Sequence, residues 1–209
     1  MTGPGANPAP LVTAGWIWLR HQQAADALDN YSWRTDPEVA RFDGGAPMEL
    51  PFSDFVARFE HDLRFPTTER RAFAIETAEG GHIGTVMYYG ADYAGQLAEL
   101  GITIGPGSAR ERGAGTAATV LFLRHTWATL PLRRVVLHTL AWNARAQAAF
   151  RRAGFGQVAT VDRNGQLFLR MEARREWWLL WDMEGRFDSV LAGPKPMANA
   201  ASRPGLTPA

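Results

Sequence analysis

The chain has 209 residues and a formal net charge of +1, from 22 lysines and arginines against 21 aspartates and glutamates. This balance argues against a dedicated nucleic-acid binder, because such proteins carry a clear basic excess. Cysteine is absent, which excludes a disulfide scaffold, a zinc–thiolate site and a cysteine nucleophile. The N-terminus lacks a basic segment followed by an apolar signal core, and the longest apolar run is too short to span a bilayer. We therefore expect a cytoplasmic protein without a membrane or nucleic-acid partner.

The composition along the chain predicts one domain between two loose ends. Residues 1–12 and 192–209 are rich in Pro, Ala and Gly, which cannot build a core, so we expect both segments to be flexible. No repeat or low-complexity linker divides the patterned stretch between them. Residues 13–191 are therefore predicted to form a single domain.

Apolar periodicity predicts alternating groups of strands and helices. In chain order these are a strand at 16–19, helices near 24–31, after 36 and after 53, strands at 72–75, 83–89 and 97–104, a helix after 115 with one apolar face, a strand at 135–137, a helix after 143, strands at 155–161 and 167–171, and a helix at 177–181. This order predicts an α+β fold with a mostly antiparallel sheet.

Polar residues and glycines mark several of the helix ends. Asp36, followed by a proline, is typical of an N-cap, and Ser53 and Asn143 are predicted to cap two further helices. The helix after Asn143 is expected to end at Gly154-Phe155, with glycine in the left-handed conformation. Its predicted buried stripe consists of Ala146, Ala149, Phe150 and Ala153.

Glycines and arginines lie between the strand at 97–104 and the next helix, in the run Arg110-Glu111-Arg112-Gly113-Ala114-Gly115. Backbone N–H groups that converge at a helix N-terminus can hold a pyrophosphate, and glycine lets the backbone approach it closely. Taken alone, such a loop is more often an ordinary strand–helix turn.

The ordered set of these features resembles the GNAT superfamily of N-acetyltransferases, and within it the branch that acetylates ribosomal-protein N-terminal alanines and, in relatives, polyamines. The matching segments extend from about Trp16 to Trp178. They are Asp36-Pro37-Glu38-Val39, Ala98-Glu99-Leu100-Gly101-Ile102-Thr103-Ile104-Gly105, Arg110-x-x-Gly113-x-Gly115-Thr116, Asn143-x-x-Ala146 and Gly154-Phe155. The resemblance implies the GNAT fold, with a splayed strand pair and flanking helices. It also implies acetyl transfer from acetyl-CoA, without a metal, to a primary amine on a protein N-terminus, a polyamine or a small molecule.

The resemblance further implies where acetyl-CoA binds, in a V between two neighbouring strands. The backbones of Ile102, Thr103 and Ile104 would pair with the pantetheine arm. Asn143, besides capping its helix, would flank the thioester end. The pyrophosphate would be held by backbone N–H groups of Arg110, Glu111, Arg112, Gly113, Ala114 and Gly115, with Thr116 just inside the helix. For Arg110 and Arg112, a solvated surface charge is an equally good interpretation.

Glu99 is the candidate catalytic base, since it stands at the family's position on the central strand and a carboxylate can accept the proton of an ammonium group. The alternative is a strand residue on the solvent face. We expect alignment of the two substrates in the V to contribute more to the rate than proton transfer.

Two residues depart from the family pattern. Many members carry a tyrosine that protonates the departing thiolate at the position of Phe150, so that water or another hydroxyl, from Tyr88, Tyr89 or Thr139, would have to serve. Glu111 stands where the family often has glycine, and a carboxylate beside a pyrophosphate is unfavourable unless it is paired. These departures leave open a module that binds acyl-CoA without efficient transfer.

The other candidate features are weaker. The five scattered histidines are interpreted as surface or packing residues, because they have no metal-ligand spacing, and the Trp177–Trp181 cluster as core or dimer contact, which leaves a homodimer open. Carboxylates on the acceptor side could attract a cationic amine, with the arginines gathered at the phosphate loop, although a solvated helix face is the commoner explanation. These carboxylates are Asp36, Glu38, Asp43, Glu49, Asp54, Glu60 and Asp62.

Overall fold

A computed structural model describes residues 9–79, 81–105, 107 and 112–193. The strands are β1 (Val12–Thr13), β2 (Ile17–His21), β3 (Arg71–Thr77), β4 (Gly81–Asp92), β5 (Leu97–Ile104), β6 (Arg134–Leu140), β7 (Gly156–Arg163) and β8 (Gln166–Arg174). The helices are α1 (Ala27–Thr35), α2 (Pro37–Asp43), α3 (Phe52–Arg64), α4 (Ala114–Thr129), α5 (Ala144–Arg152), α6 (Arg175–Met183) and α7 (Asp188–Leu191), with a 3₁₀ turn at Ala24–Asp26. The predicted α+β order is confirmed. The domain limits at residues 12 and 192 stay a prediction.

All eight strands form one sheet in the order β1-β2-β3-β4-β5-β6-β8-β7. Neighbouring strands are antiparallel except β5 and β6, which are parallel. A parallel pair needs a crossover connection, and α4 lies in the chain between these two strands. The mostly antiparallel sheet predicted from the sequence is confirmed.

Helix α4 lies at the centre of the main core, on one face of the sheet. Its Phe122 meets Phe73 of β3 edge to face, at 6.3 Å between ring centroids. The apolar face predicted for this helix is confirmed, since Ala117, Val120 and Leu123 are buried. Burial extends beyond this face, to Ala118, Leu121 and Phe122. The helix contacts β2 and β5 of the sheet and also α5 and α7, so almost its whole circumference is covered.

Helices α1, α2 and α3 lie on the opposite side of the sheet from this core. Asp36 caps α2 as predicted, accepting hydrogen bonds from the backbone N–H groups of Glu38 and Val39 at 2.7 and 3.1 Å. The cap predicted at Ser53 is wrong, since α3 begins at Phe52 and its N-cap is Pro51, two residues before Ser53. The Pro51 carbonyl accepts from the N–H of Phe55 at 3.0 Å and so supplies the first helical bond.

The C-terminal helices close the core around Gly154. This glycine has φ +96°, and a Cβ here would lie 2.7 Å from Cδ1 of Trp178. Both the backbone conformation and the lack of space therefore require glycine at this position. Trp178 is buried, donates its indole N–H to the Ala153 carbonyl at 2.8 Å and stacks on Phe187. Trp178 therefore confirms the core interpretation of the tryptophan cluster, whereas Trp177 is 54% exposed.

Candidate active site

The sheet opens between its two parallel strands. β5 pairs with β6 only at Leu97, Ala98 and Glu99, opposite Arg134 to Val136, but it pairs with β4 as far as Ile104. Beyond Glu99, no described strand pairs with the β6-facing edge of β5. A cavity of about 980 Å³ occupies this splay and is lined by both strands.

One end of the cavity is built from the segments that the sequence assigned to acetyl-CoA. Side chains or backbone of Ile102, Thr103 and Ile104 line it, together with Gly113, Gly115, Thr116 and Asn143. Ala114 does not line it, because this first residue of α4 is buried in the core. Arg110 and Glu111 lie outside the described residues.

The N-terminus of α4 reaches the cavity through two glycines. Gly113 is the N-cap and has φ +81°, a left-handed conformation that favours glycine. At Gly115, an added Cβ would meet only Cγ1 of Ile104, at 3.7 Å, an ordinary contact. The fold itself therefore does not require glycine at Gly115, and the absent side chain leaves room on the cavity side.

Arg112 lines the cavity beside these glycines, and its positive charge is partly neutralised by a neighbouring carboxylate. Its guanidinium Nη1 forms an ion pair with Oε2 of Glu79, and both side chains are at least half exposed. Such an exposed pair contributes little to stability. Both earlier interpretations of Arg112, surface charge and phosphate contact, are compatible with this position.

Helix α5 forms a second wall of the same end. Asn143 caps it as predicted, with its side-chain oxygen 3.1 Å from the N–H of Ala146. Within the predicted buried stripe only Ala153 is buried; Ala146, Ala149 and Phe150 are half-buried because they line the cavity. Phe150 also packs against Phe155 at 6.1 Å, so an apolar ring occupies the position at which the resemblance implies a tyrosine.

The other end of the cavity holds an acid–base group centred on Glu99. Ala98 and Leu100 point into the core, and Glu99 between them therefore faces the opposite side of the sheet. Its Oε1 lies 2.8 Å from Nδ1 of His138 on β6, and since a carboxylate only accepts, the imidazole donates. The side chains of Glu99 and His138 are 23% and 12% exposed.

His138 corrects the sequence interpretation, which took all five histidines for surface or packing residues. It lines the cavity and pairs with the candidate base. Spacing along the chain could not reveal this pair, because the two residues are 39 positions apart and are brought together by the parallel β5–β6 pairing.

Among the three alternative hydroxyls, Tyr89 and Thr139 line the cavity and Tyr88 does not. Tyr88 is buried in the core, and burial raises the pKa of its phenol to about 12. Tyr89 lies opposite Glu99 in the β4–β5 register. Burial, followed by a hydrogen bond to the Glu99 carboxylate, raises the pKa of Tyr89 above its ordinary value, so this phenol stays protonated at neutral pH.

The charges at this end differ from the pattern predicted. Of the seven carboxylates assigned to the acceptor side, only Asp43 lines the cavity. Asp43 is exposed to the cavity, yet the surrounding protein withdraws its carboxyl from bulk water and raises its pKa to about 6, and Arg34 partly offsets this. Arginines also line this end, at Arg34 and Arg163, so the predicted separation of acids from arginines is wrong.

Three arginines that line the cavity, and Arg41 of α2, rest on aromatic rings. Arg34 lies 6.0 Å from the centroid of Phe55, Arg145 lies 5.0 Å from Phe42, and Arg163 lies 5.4 Å from Phe168. Arg41 lies 5.1 Å from Trp142, which in turn packs on Phe42. A ring holds a guanidinium in place without occupying its N–H donors.

Metal ions and membranes are two further kinds of partner to consider for the described ranges. No group of three or more His, Asp or Glu side chains there is arranged to hold a metal ion. No helix in those ranges is long and apolar enough to cross a membrane.

Solved structures of the same fold include spermidine N-acetyltransferases from Vibrio cholerae. The chain is similar to one in complex with CoA and spermine, with a TM-score of 0.70 and 19% identity over 78% of this chain and 98% of that chain. It is similar to another in complex with manganese ions, with a TM-score of 0.65 and 19% identity over 80% of this chain and 97% of that chain. No curated protein sequence gives a significant match.

At this level of identity, the structural likeness shows the fold. The family comes from the sequence: the family model described as an acetyltransferase (GNAT) domain matches residues 17–156. This match covers β2 to the start of β7, and so includes the splayed strands, α4 and α5. The chain belongs to the GNAT acetyltransferase family.

Proposed function

We propose that the protein transfers the acetyl group of acetyl-CoA to a primary amine, by direct attack within a ternary complex. One observation carries the proposal: a single cavity extends from the open edge of β5 and the N-terminus of α4 to the Glu99–His138 pair. Both substrates can therefore meet at the point where β5 and β6 separate.

The residues present fit acetyl-CoA at the α4 end. The open edge of β5 offers backbone groups of Ile102, Thr103 and Ile104 to the amides of the pantetheine arm, as a sheet edge does to an added strand. The N-terminus of α4, at Gly113, Ala114, Gly115 and Thr116, is suited to the pyrophosphate, with Arg112 beside it. Arg110 and Glu111 complete this proposed loop, and Asn143 stands at the end of α5 that would flank the thioester.

Glu99 is proposed as the base that takes the proton from the acceptor ammonium, directly or through water. The freed nitrogen attacks the acetyl carbonyl carbon, so that a C–N bond forms and the C–S bond breaks. His138 holds the Glu99 carboxylate through the 2.8 Å hydrogen bond. As the C–S bond breaks, the nitrogen loses its second proton and the departing thiolate gains one. Tyr89, which lines the cavity, is the candidate to relay this proton in place of the tyrosine absent at Phe150: its hydroxyl donates to sulfur and regains a proton from nitrogen.

An amine acceptor is also in keeping with the names of the structural neighbours, which are spermidine N-acetyltransferases. At 19% identity, the likeness does not assign the neighbours' polyamine substrate to this chain. A protein N-terminus, a polyamine and a small-molecule amine are all compatible with the mechanism.

The test is thiol release from acetyl-CoA, measured with a panel of N-terminal peptides, polyamines and aminoglycosides. We expect at least one primary amine to stimulate release, with the acetylated amine detected by mass spectrometry. If no amine does so, although acetyl-CoA raises the melting temperature of the protein, transfer to amines is wrong.

Phe150 favours a second candidate, a GNAT-fold module that binds acyl-CoA without efficient transfer. Its ring lines the cavity and carries no proton. Tight acetyl-CoA binding in calorimetry, without turnover on any amine, would favour this module. A rise in turnover for Phe150→Tyr would instead indicate an enzyme that lacks only its usual acid.

A further inference from the structure

This inference rests on the proposed amine transfer and specifies its acceptor. We propose that the acceptor is a primary amine whose other end carries an anion, a carboxylate or a phosphate, and that this anion binds at Arg34. The amine end would lie at Glu99, and the anionic end would lie along the wall formed by α1 and α3.

The first support is the charge on the face of the sheet that carries Glu99. Two arginines, Arg34 and Arg163, line the cavity on this side, and neither lies within 4 Å of a described carboxylate. Among the described residues, the carboxylates that line the cavity are Asp43 and the proposed base Glu99. After one ammonium group has been placed at Glu99, a second positive charge would meet unpaired guanidinium groups.

The second support is a side cavity that continues past Arg34. It has a volume of about 470 Å³, lies between α3 and strands β3 and β4, and shares Arg34 and Met87 with the first cavity. Arg58 and Arg70 also line it, and its only carboxylate among the described residues is Asp62, which pairs with Arg70 at 3.2 Å. The extension of the acceptor side is therefore positively charged as well.

Arg34 itself is arranged to bind an anion. Its guanidinium lies 6.0 Å from the centroid of Phe55, which positions the group and leaves its N–H donors available. Loss of bulk water in the cavity wall, and next the positive charge of Arg70, lower the pKa of Arg34, and the charges of Asp43 and Asp62 only partly offset this. A carboxylate or phosphate here would accept two parallel N–H bonds and relieve the repulsion between the two arginines.

The same arrangement disfavours a polycation. A polyamine needs carboxylates along its path, but six of the seven carboxylates predicted for this side do not line the first cavity. Apolar side chains, among them Leu50, Phe59 and Leu63, form part of the side-cavity wall, which suits a methylene chain between the amine and the anion.

The experiment compares three series of acceptors with equal chain lengths: ω-amino carboxylates, α,ω-diamines and simple alkylamines, from two to six methylenes, with aminoalkyl phosphates as a fourth arm. We expect kcat/KM at the best length to be at least tenfold higher for an anionic acceptor than for the diamine or alkylamine. The carboxylate and phosphate arms identify which anion is preferred. A diamine as the best acceptor would overturn the proposal.

Variants assign the preference to a residue. Arg34→Gln should lower the anionic-to-neutral ratio of kcat/KM about tenfold, mainly through KM, and Arg34→Lys should restore part of it. Arg64→Gln is the matched control, because Arg64 is exposed near the end of α3 and lines neither cavity.

An unchanged anionic-to-neutral ratio of kcat/KM in Arg34→Gln, in protein that still binds acetyl-CoA, would overturn the role of Arg34. If no amine in any arm is acetylated, the proposed function fails, whereas acetylation without an anionic preference contradicts this inference alone.

Discussion

The two ends of the cavity are built in different ways. The end assigned to acetyl-CoA consists of backbone edges and helix ends: the open side of β5, the glycine-rich start of α4 and the capped start of α5. The end assigned to the acceptor consists of ionisable side chains from strands and helices far apart in sequence, among them Asp43, Tyr89, Glu99 and His138. Backbone geometry tolerates changes in side chains, whereas the acid–base group depends on each member.

This difference leads to separable expectations. Substitutions at the acceptor end should change turnover and its pH dependence while acetyl-CoA still binds. Substitutions at the α4 end should change the affinity for acetyl-CoA while the acid–base group stays intact. A variant that changes both properties would show that the two ends do not act independently.

Glu99→Gln should have the largest effect. Gln keeps the size of the side chain and a hydrogen-bonding oxygen for His138, but it cannot accept the ammonium proton. We expect kcat to fall by about 100-fold or more, as for loss of a general base, with the dissociation constant for acetyl-CoA unchanged in calorimetry. Glu60→Gln, an exposed position on α3 that lines neither cavity, is the control. Unchanged turnover in Glu99→Gln would remove Glu99 from the role of base.

His138→Gln should have a smaller effect on the same step. A hydrogen bond to a charged group contributes about 1.5–3 kcal/mol, so its loss in the transition state corresponds to roughly a tenfold to hundredfold fall in kcat. Because His138 contacts Glu99 directly, the two substitutions should be strongly non-additive in a double-mutant cycle. Additive effects would show that His138 acts independently of Glu99, and a shifted pH–rate profile distinguishes positioning from a purely structural role.

The same difference explains what could be predicted from the sequence. Local signals predicted the α4 end well: Asn143 as a cap, Gly154 as a left-handed stop and the strand that carries Ile102 to Ile104 are all observed. The acceptor end was predicted poorly, because its contacts depend on strand register and helix placement. His138 meets Glu99 only through the parallel β5–β6 pairing, and Arg34 reaches the cavity only because α1 packs against β4. No local pattern encodes either contact.

Gly115→Ala tests the α4 end. An added Cβ meets only Ile104 Cγ1, at 3.7 Å, and alanine favours a helix more than glycine does, so the melting temperature should stay equal or rise. If the pyrophosphate lies against this turn, the methyl group should weaken acetyl-CoA binding by about tenfold, or about 1.4 kcal/mol. Gly156→Ala is the control, since a Cβ there meets nothing within 4 Å and the residue lines no part of the cavity. Unchanged affinity in Gly115→Ala would contradict the proposed phosphate contact.

Asp43→Asn tests the charge of the acceptor end, and its expected effect is the smallest. The folded protein raises the pKa of Asp43 from 3.8 to about 6, so between these two values the native state binds more protons than the unfolded state. The stability of the wild type should therefore fall as pH rises from about 4 to 6 and then level off with respect to this group. Asn has no charge to withdraw from water. The free energy of unfolding of the variant should therefore rise relative to that of the wild type between pH 4 and 6, by about 1 kcal/mol or less because Asp43 is exposed. In thermal unfolding this is a difference of about 2 °C in melting temperature at pH 7 that disappears near pH 4.

Glu49→Gln, at an exposed carboxylate that does not line the cavity, is the control and should show no pH-dependent difference in melting temperature from the wild type. A difference in melting temperature between Asp43→Asn and wild type that stays constant from pH 4 to 7 would mean that ionisation of Asp43 does not destabilise the native state. The acceptor end would then accommodate a second negative charge as readily as water does.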